Sequence, residues 1–410
     1  MNEGQYIKRT TCRLCESKNL IQVLDLGLVP LAGNYLKKEE IGKEKLYPLT
    51  VSVCRECSFV QVNEVVDPKE LFADYRYLSS IPLSAHFQDY AKEMVKRFLI
   101  KDSFVIDIGS NDGVLLKPLK DLGIDAVGVD PAANIAKIAN DRELKTIVGY
   151  FNVTLAEEIA NKYGQADAVF ANNVMAHIDD LDEVMRGVDG LLRAAGVFVF
   201  EVYYLVDLLQ KNQYDIIYHE HHSYHSLIAL KPFLARYGFE IFDVKRIPTH
   251  SGSIRVYCQR ISPKTYKPSA RLASLLKFEK TLGLASVKTY QDFGGKVNEL
   301  RDSLRMIISD LKIVGDKKVV GYGASGRGNM LLNYCQINNK ILDYIVDESP
   351  ERYGRYTPVT HIPIVSPETF RNDNPDYVLL LAWGYKDMIR AKEKQFKDRY
   401  IVPLPEVKIL

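Results

Sequence analysis

The sequence predicts an α/β protein in three parts: an N-terminal zinc-binding module, a central Rossmann-like domain and a C-terminal Rossmann-like domain. Three observations carry that prediction. Two CxxC pairs, Cys12–Cys15 and Cys54–Cys57, lie near the N-terminus. At Phe104–Gly113 and again at Lys318–Asn329, an apolar strand runs into a glycine-bearing turn that opens a helix. The chain is 410 residues long, more than one hydrophobic core ordinarily serves. The boundaries read as 1–70 for the zinc module, 71–262 for the central domain with a linking helix at 71–100, and 263–410 for a helical connector and the last domain.

Composition narrows the function classes. An apolar fraction of 47% and a charged fraction of 26% are those of an ordinary globular protein. The formal net charge of +2 offers no basic field for nucleic acid or an anionic membrane. No apolar run approaches the ~18 residues of a membrane span. The first residues, MNEGQYIKRT, lack the apolar segment of a signal peptide, so the expected location is cytoplasmic. In that compartment six cysteines point to metal binding or core packing before disulfides.

The two CxxC pairs, about 40 residues apart, supply four thiolates, a closed tetrahedral shell for structural zinc. A redox CxxC would sit beside βαβ units, whereas these surroundings are short and turn-rich. With no position left for water, the metal would hold the fold and not catalyse. Between the pairs, DLGLVPLAGNYL reads as a loop-rich stretch dependent on the metal. Next come Tyr75 and Tyr77 in a YRYLSS segment, then a helix through KEMVKRFL with apolar residues at 3–4 spacing.

In the central domain the strand FVIDI ends at Asp107, and the turn Gly109-Ser-Asn111-Asp-Gly follows. A second strand closes on Asp130. Glycines permit close backbone approach to a ligand, and an acid closing the second strand can take both ribose hydroxyls. The pyrophosphate fingerprint GxGxxG is absent from this turn, which suits S-adenosylmethionine better than NAD. A later strand ends at Asn172-Asn173, with His177 just beyond it on the ligand edge of the sheet. A strand through Val197–Glu201 reaches the same edge. About twenty residues further comes YDIIYHEHHSYHSL, Tyr214 to Leu227, which gathers four of the chain's eight histidines with one glutamate and three tyrosines. No other stretch concentrates so many proton-transferring groups. The residues His250–Tyr257, HSGSIRVY, read as a polar turn entering an antiparallel strand. Residues 264–312 read as helical, broken most clearly at Gly294-Gly295. Finally the turn GYGASGRGN, with Tyr322, Ser325 and Arg327, can cradle a phosphate on backbone N–H groups, with Arg327 adding a charged contact.

The order CRLC…CREC, YRYLSS, VIDIGSNDGVLL, NNVMAHI, FVFEVYY, YHEHHSYHSL, HSGSIRVY and GYGASGRGN resembles the three-domain C-methyltransferases of nucleotide-linked deoxysugars, nearly end to end. The resemblance implies S-adenosylmethionine as cofactor and structural zinc on Cys12, Cys15, Cys54 and Cys57. It implies as substrate a nucleoside-diphosphate 4-keto-6-deoxysugar methylated at C3. It implies His221 as the base, Glu220 and Tyr218 as its supports, and Tyr75 reaching in from the N-terminal side. Asp107, Gly109, Asn111, Asp130, Asn172 and His177 fall on the cofactor side, with Asp130 the ribose acid. Tyr77, Asn173, His222, Tyr322, Ser325 and Arg327 fall to the substrate. Where the family more often has an apolar residue after the matched histidine, this chain has His222, which makes His222 a rival base. A monomer or weak homo-oligomer is expected.

Two other readings compete. A small-molecule O- or N-methyltransferase needs no base for a carbon-bound proton, which leaves the histidine cluster unexplained. A zinc-ribbon RNA-binding protein conflicts with the near-neutral charge.

Overall fold

The computed structural model describes residues 2–72 and 78–410, so Tyr75 and Tyr77 lie outside the described residues. In the zinc module, β1 (Leu20–Val29) and β2 (Lys45–Cys54) pair antiparallel, and β3 (Val60–Val62) extends the sheet. The stretch read as a loop therefore begins as strand: DLGLV is the second half of β1. The strand is not a plain alternating one, because its register shifts between Asp25 and Leu28. Such irregularity hides the period that marks a strand in sequence.

Helix α1 (Ser80–Phe98) leads to the central sheet. Its elements are β4 (Phe104–Ile108), α2 (Leu116–Asp121), β5 (Asp125–Asp130), α3 (Ala133–Asp141), β6 (Thr146–Val148), α4 (Val153–Tyr163), β7 (Ala166–Asn172), α5 (Leu181–Leu191) and β8 (Leu192–Tyr203). β9 (Ser223–Tyr224), α6 (Leu227–Ala235), β10 (Phe239–Ile247) and β11 (Ser253–Arg260) follow. The seven-stranded sheet runs β10-β11-β8-β7-β4-β5-β6, with β11 antiparallel to β8. β4 is buried along its whole length, β7 at every residue but Asp167, and β5 over its last four residues, as parallel strands covered on both faces must be. Caps fix the helices locally: Asn152 Oδ1 accepts from Leu155 N at 2.8 Å, a contact worth about 1 kcal/mol. β9 does not join this sheet. It pairs antiparallel with β3 of the zinc module.

The connector holds α7 (Ala270–Thr281) and α8 (Val287–Ser309). The chain breaks at 282–286, and α8 runs unbroken through Gly294-Gly295. Gly294 is there for packing: a Cβ on it would lie 2.2 Å from the carbonyl oxygen of Val23 in β1. The last domain has β12 (Val319–Tyr322), α9 (Gly326–Tyr334), β13 (Ile345–Val346), β14 (Ile364–Val365), β15 (Tyr377–Leu380), β16 (Tyr400–Val402) and β17 (Lys408–Ile409). Their sheet order is β14-β13-β12-β15-β16-β17. The three parts share cores. Leu24, Val51 and Val60 of the zinc module cluster with Tyr290 and Val297 of the connector and with Val320 and Tyr334 of the last domain. Among the described residues no helix is long and apolar enough to cross a membrane.

Candidate active site

One cleft of about 2140 Å³ opens between all three parts. Its first wall is the ligand edge of the central sheet. Gly109 has φ +71°, and a Cβ there would come within 2.8 Å of the Val174 side chain, so only glycine fits. The Asp130 carboxylate accepts the N–H groups of Asn111 and Ala132, both at 2.9 Å. Asp107 is 3% exposed; burial, and then the neighbouring Asp130, push its carboxyl well above the usual range. Burial also raises Asp130, against those two N–H groups. Asn172, Asn173 and His177 line the same wall. At the start of α1, Ser79 N donates to Asn111 Oδ1 at 2.9 Å and Ser80 N to Asp112 Oδ1 at 3.2 Å, holding the turn.

The second wall is the histidine-rich segment, and the structure divides its four histidines. His219 Nε2 donates to the Pro48 carbonyl at 3.0 Å. His225 is fully buried against Phe59, with neither nitrogen partnered. His221 and His222 line the cleft. His221 Nδ1 lies 2.7 Å from the Ile216 carbonyl, which can only accept, so Nδ1 carries the proton and Nε2 the lone pair. Nε2 is turned toward the Tyr203 hydroxyl at 3.3 Å. The Tyr218 ring packs on the imidazole with centroids 4.0 Å apart, and His177 meets it edge-on at 4.9 Å. Burial, and next His177, hold His221 well below the ordinary histidine value, so the neutral ring is the resident form. Burial holds His177 near 4 in the same way, and raises the Glu220 carboxyl to about 7. It is the carbonyl of Ile216, and not Glu220, that sets the His221 tautomer. His222 faces Arg13 and Asp179, and burial with Arg13 lowers it to about 3.

The third wall belongs to the C-terminal domain. Ser325 caps α9, its Oγ accepting from Gly328 N at 3.1 Å, and the Tyr322 hydroxyl donates to Glu348 at 2.6 Å. Arg327 grips buried Asp215 with both prongs at 2.9 Å and also reaches Ser251 Oγ at 3.2 Å. The Trp383 indole N–H donates to the same carboxylate at 2.7 Å. Arg327 thus ties this wall to the segment leading into the histidines while itself lining the cleft.

Sequence reasoning passed over Tyr203, His250, Asp215 and Trp383. Tyr203, His250 and Asp215 stood inside quoted motifs, and the rings of the first two meet with centroids 5.5 Å apart at the cleft. Asp215 and Trp383 carried no spacing signal at all, being 168 residues apart.

Both cofactor sites fit their donors. The four thiolate sulfurs all lie within 4.8 Å of one another, with Cys12–Cys57 and Cys15–Cys54 at 3.5 Å. A tetrahedron with ~2.3 Å zinc–sulfur bonds has edges of about 3.8 Å. Asp130, held by two N–H groups at the cleft wall, is the acceptor a ribose diol requires, and two barely compensated acids suit a cationic sulfonium.

Comparison with known proteins agrees. A C-methyltransferase C-terminal domain matches residues 248–405, a zinc binding domain residues 12–72, and a methyltransferase domain residues 83–244. The chain is 37% identical to the C-methyltransferase NovU of Streptomyces niveus, over 97% of this chain and 96% of that protein. The chain belongs to the C-methyltransferase family. The enzyme uses S-adenosylmethionine, and its N-terminal part is a zinc-binding domain in which four cysteines lie together. A shorter similarity links it to the ubiquinone biosynthesis O-methyltransferase of Azorhizobium caulinodans, 32% identical over 24% of this chain and 40% of that one. Among solved structures, magnesium protoporphyrin IX methyltransferase (ChlM) from Synechocystis PCC 6803 with bound SAH is 14% identical, with a TM-score of 0.35 over 47% of this chain and 92% of that chain. The CcbJ methyltransferase from Streptomyces caelestis is 14% identical, with a TM-score of 0.35 over 46% of this chain and all of that one.

Proposed function

We propose that this methyltransferase places a methyl group on C3 of a nucleoside-diphosphate 4-keto-6-deoxysugar, in branched deoxysugar biosynthesis, by way of an enolate. The observation that carries the reading is the single tautomer of His221, whose Nε2 lone pair is turned to Tyr203 at the cleft. A proton on carbon next to a ketone needs a base that is neutral and positioned when the substrate arrives. His221 meets both conditions, and its imidazolium can return the proton to solvent after turnover. Tyr203, whose hydroxyl lies 3.3 Å from Nε2, and Tyr218, whose ring packs on the imidazole, are the phenols proposed to steady charge developing on the ketone oxygen once the substrate is bound. His222, turned to Arg13 and Asp179, is the less suited of the two candidate bases. Asp107, Gly109, Asn111 and Asp130 hold S-adenosylmethionine, which supplies a methyl electrophile activated by its sulfonium. Tyr322, Ser325, Arg327 and Asn173 are the residues proposed to receive the nucleotide-sugar.

The test is mass-spectrometric, against TDP-, GDP- and CDP-linked 4-keto sugars in deuterated water. One of them gains a single methyl group, and without cofactor it takes up deuterium at C3. His221→Ala slows that uptake by about 10²–10⁴-fold, the range of a lost general base. If no substrate of the panel exchanges a proton with the unaltered enzyme, the reading is wrong.

A further inference from the structure

Arg13 stands inside the first zinc knuckle, between Cys12 and Cys15, yet its side chain leaves the knuckle. The guanidinium is fully buried. Its Nε donates to Asp179 Oδ1 at 2.7 Å, and its Nη1 to the carbonyl oxygens of Val62 at 2.5 Å and His222 at 3.3 Å. Asp179 follows His177 by two residues, and His222 adjoins His221. The His222 carbonyl also accepts from Val62 N at 3.0 Å, and the next two residues form β9 on the edge of β3. At its other end Arg13 is fixed by its own backbone, whose N–H donates to Gln61 Oε1 at 2.9 Å. One cation therefore joins the knuckle to two of the loops that carry cleft histidines, those of His177 and of His221 and His222.

A zinc knuckle does not need this contact. Four thiolates close the metal shell, and a residue between them can face water without harm to it. Burying a guanidinium is costly unless its partners are well placed, and here two of its three partners, Asp179 and the His222 carbonyl, lie on loops that carry cleft histidines. Arg9 also reaches Asp179, at 3.0 Å, but its hydrogen bonds among the described residues go to Thr11, Glu16 and Asp179 and not to His222. Among the described residues, Arg13 is thus the one side chain that hydrogen-bonds the His222 carbonyl.

We infer that Arg13 is a positioning residue, through which the zinc module holds the backbone at His222 and so keeps the His221 imidazole in its single tautomer at the cleft. The inference rests on the reading of His221 as the base. It assigns the zinc module a share in catalysis through geometry, with the metal remote from the reaction.

The experiment compares zinc-loaded, full-length Arg13→Met and Arg13→Lys with the unaltered enzyme. Zinc per chain, affinity for S-adenosylmethionine, kcat and KM on the active sugar, deuterium uptake at the substrate carbon, and ¹⁵N shifts of the His221 ring are measured. Misplacement of a catalytic group by about 1 Å can cost ~10²-fold, so kcat and exchange in Arg13→Met should fall by about that factor. KM, zinc content and cofactor affinity stay within about twofold, and the His221 signals change from one tautomer to a mixture. Arg13→Lys restores part of the rate, because lysine returns the charge without the fork. Unchanged ring signals with unchanged exchange overturn the inference, as does a loss shared equally by zinc content and cofactor affinity. Should Arg13→Met not fold, Asp179→Asn loosens the same bridge from outside the zinc module. A loss of about tenfold in kcat is then expected, and none overturns the inference. If the unaltered enzyme itself exchanges no proton, it is the role of His221 that fails, and the ring signals still judge Arg13.

Discussion

The central and C-terminal domains present the same topology to the cleft from opposite sides, with different electrostatics. In each, an acid at the end of the second strand, or the residue after it, accepts two backbone N–H groups. Asp130 takes those of Asn111 and Ala132, and Asp347 those of Ala324 and Ser349. The surroundings then diverge. Asp130 faces a second buried acid, Asp107, and the proximity of Asp130 helps raise the Asp107 carboxyl. Asp347 is paired with Arg352 at 3.1 Å, and the turn beside it carries Tyr322, Ser325 and Arg327. An uncompensated pair of acids draws a cation, and a compensated acid beside a hydroxyl-lined helix start leaves room for an anion. One fold can therefore hold a sulfonium cofactor on one side of a cleft and a diphosphate on the other. The difference lies in a handful of side chains at strand ends.

The most direct way to break this comparison is to remove each acid in turn. Asp130→Ala should weaken S-adenosylmethionine binding about 100-fold, about 2.8 kcal/mol, as read by calorimetry. Asp347→Ala should leave that affinity within about twofold and weaken nucleoside-diphosphate binding instead. Equal loss of cofactor affinity in both variants would show that the two strand ends are not specialised.

What the sequence disclosed follows the range of the interactions involved. The two CxxC pairs and the strand–turn units of the central domain were legible because each is written in a short run of residues. The ground for proposing His221 over His222 was not. It depends on the Ile216 carbonyl and on Tyr203, which reach His221 only through the path of the loop. The pairing of β9 with β3 joins residues more than 160 positions apart, and a two-residue strand has no period to detect. Arg13 carried no signal of its own between two cysteines, since nothing local says that its side chain points away from the metal. Gly294 misled in the opposite sense: a glycine pair usually marks a break, and here it marks close contact of α8 with β1. Tertiary contact decided each of these points.

A smaller effect sharpens the anionic side. Ser325→Asp keeps the cap on α9, because aspartate accepts from the N3 amide as well as serine does. It places a carboxylate where the C-terminal domain is proposed to receive phosphate. Thermal stability should stay within about 2 °C. Affinity for the nucleoside diphosphate should drop about tenfold, with cofactor affinity unchanged. Unaltered nucleotide affinity would move the phosphate site away from this helix start.

The smallest expected effect concerns the acidic side alone. Asp107 has a folded-state pKa above its ordinary value, so at high pH the fold bears the cost of an ionised buried carboxylate. As pH falls through the raised value the group takes up a proton in the folded state first, and that cost disappears. Asp107→Asn, a neutral isostere, should therefore be the more stable protein at about pH 8, by about 1–2 °C in Tm without cofactor. The advantage should shrink steadily toward about pH 5, as the parent's own carboxyl becomes neutral. The buried histidines of the cleft, whose values are lowered, act on stability with the opposite sign over this range. They do so equally in both proteins and cancel in the difference. A gap in Tm that stays constant with pH would mean that Asp107 is ionised throughout, and the acidic wall would then already hold its compensating cation without the cofactor.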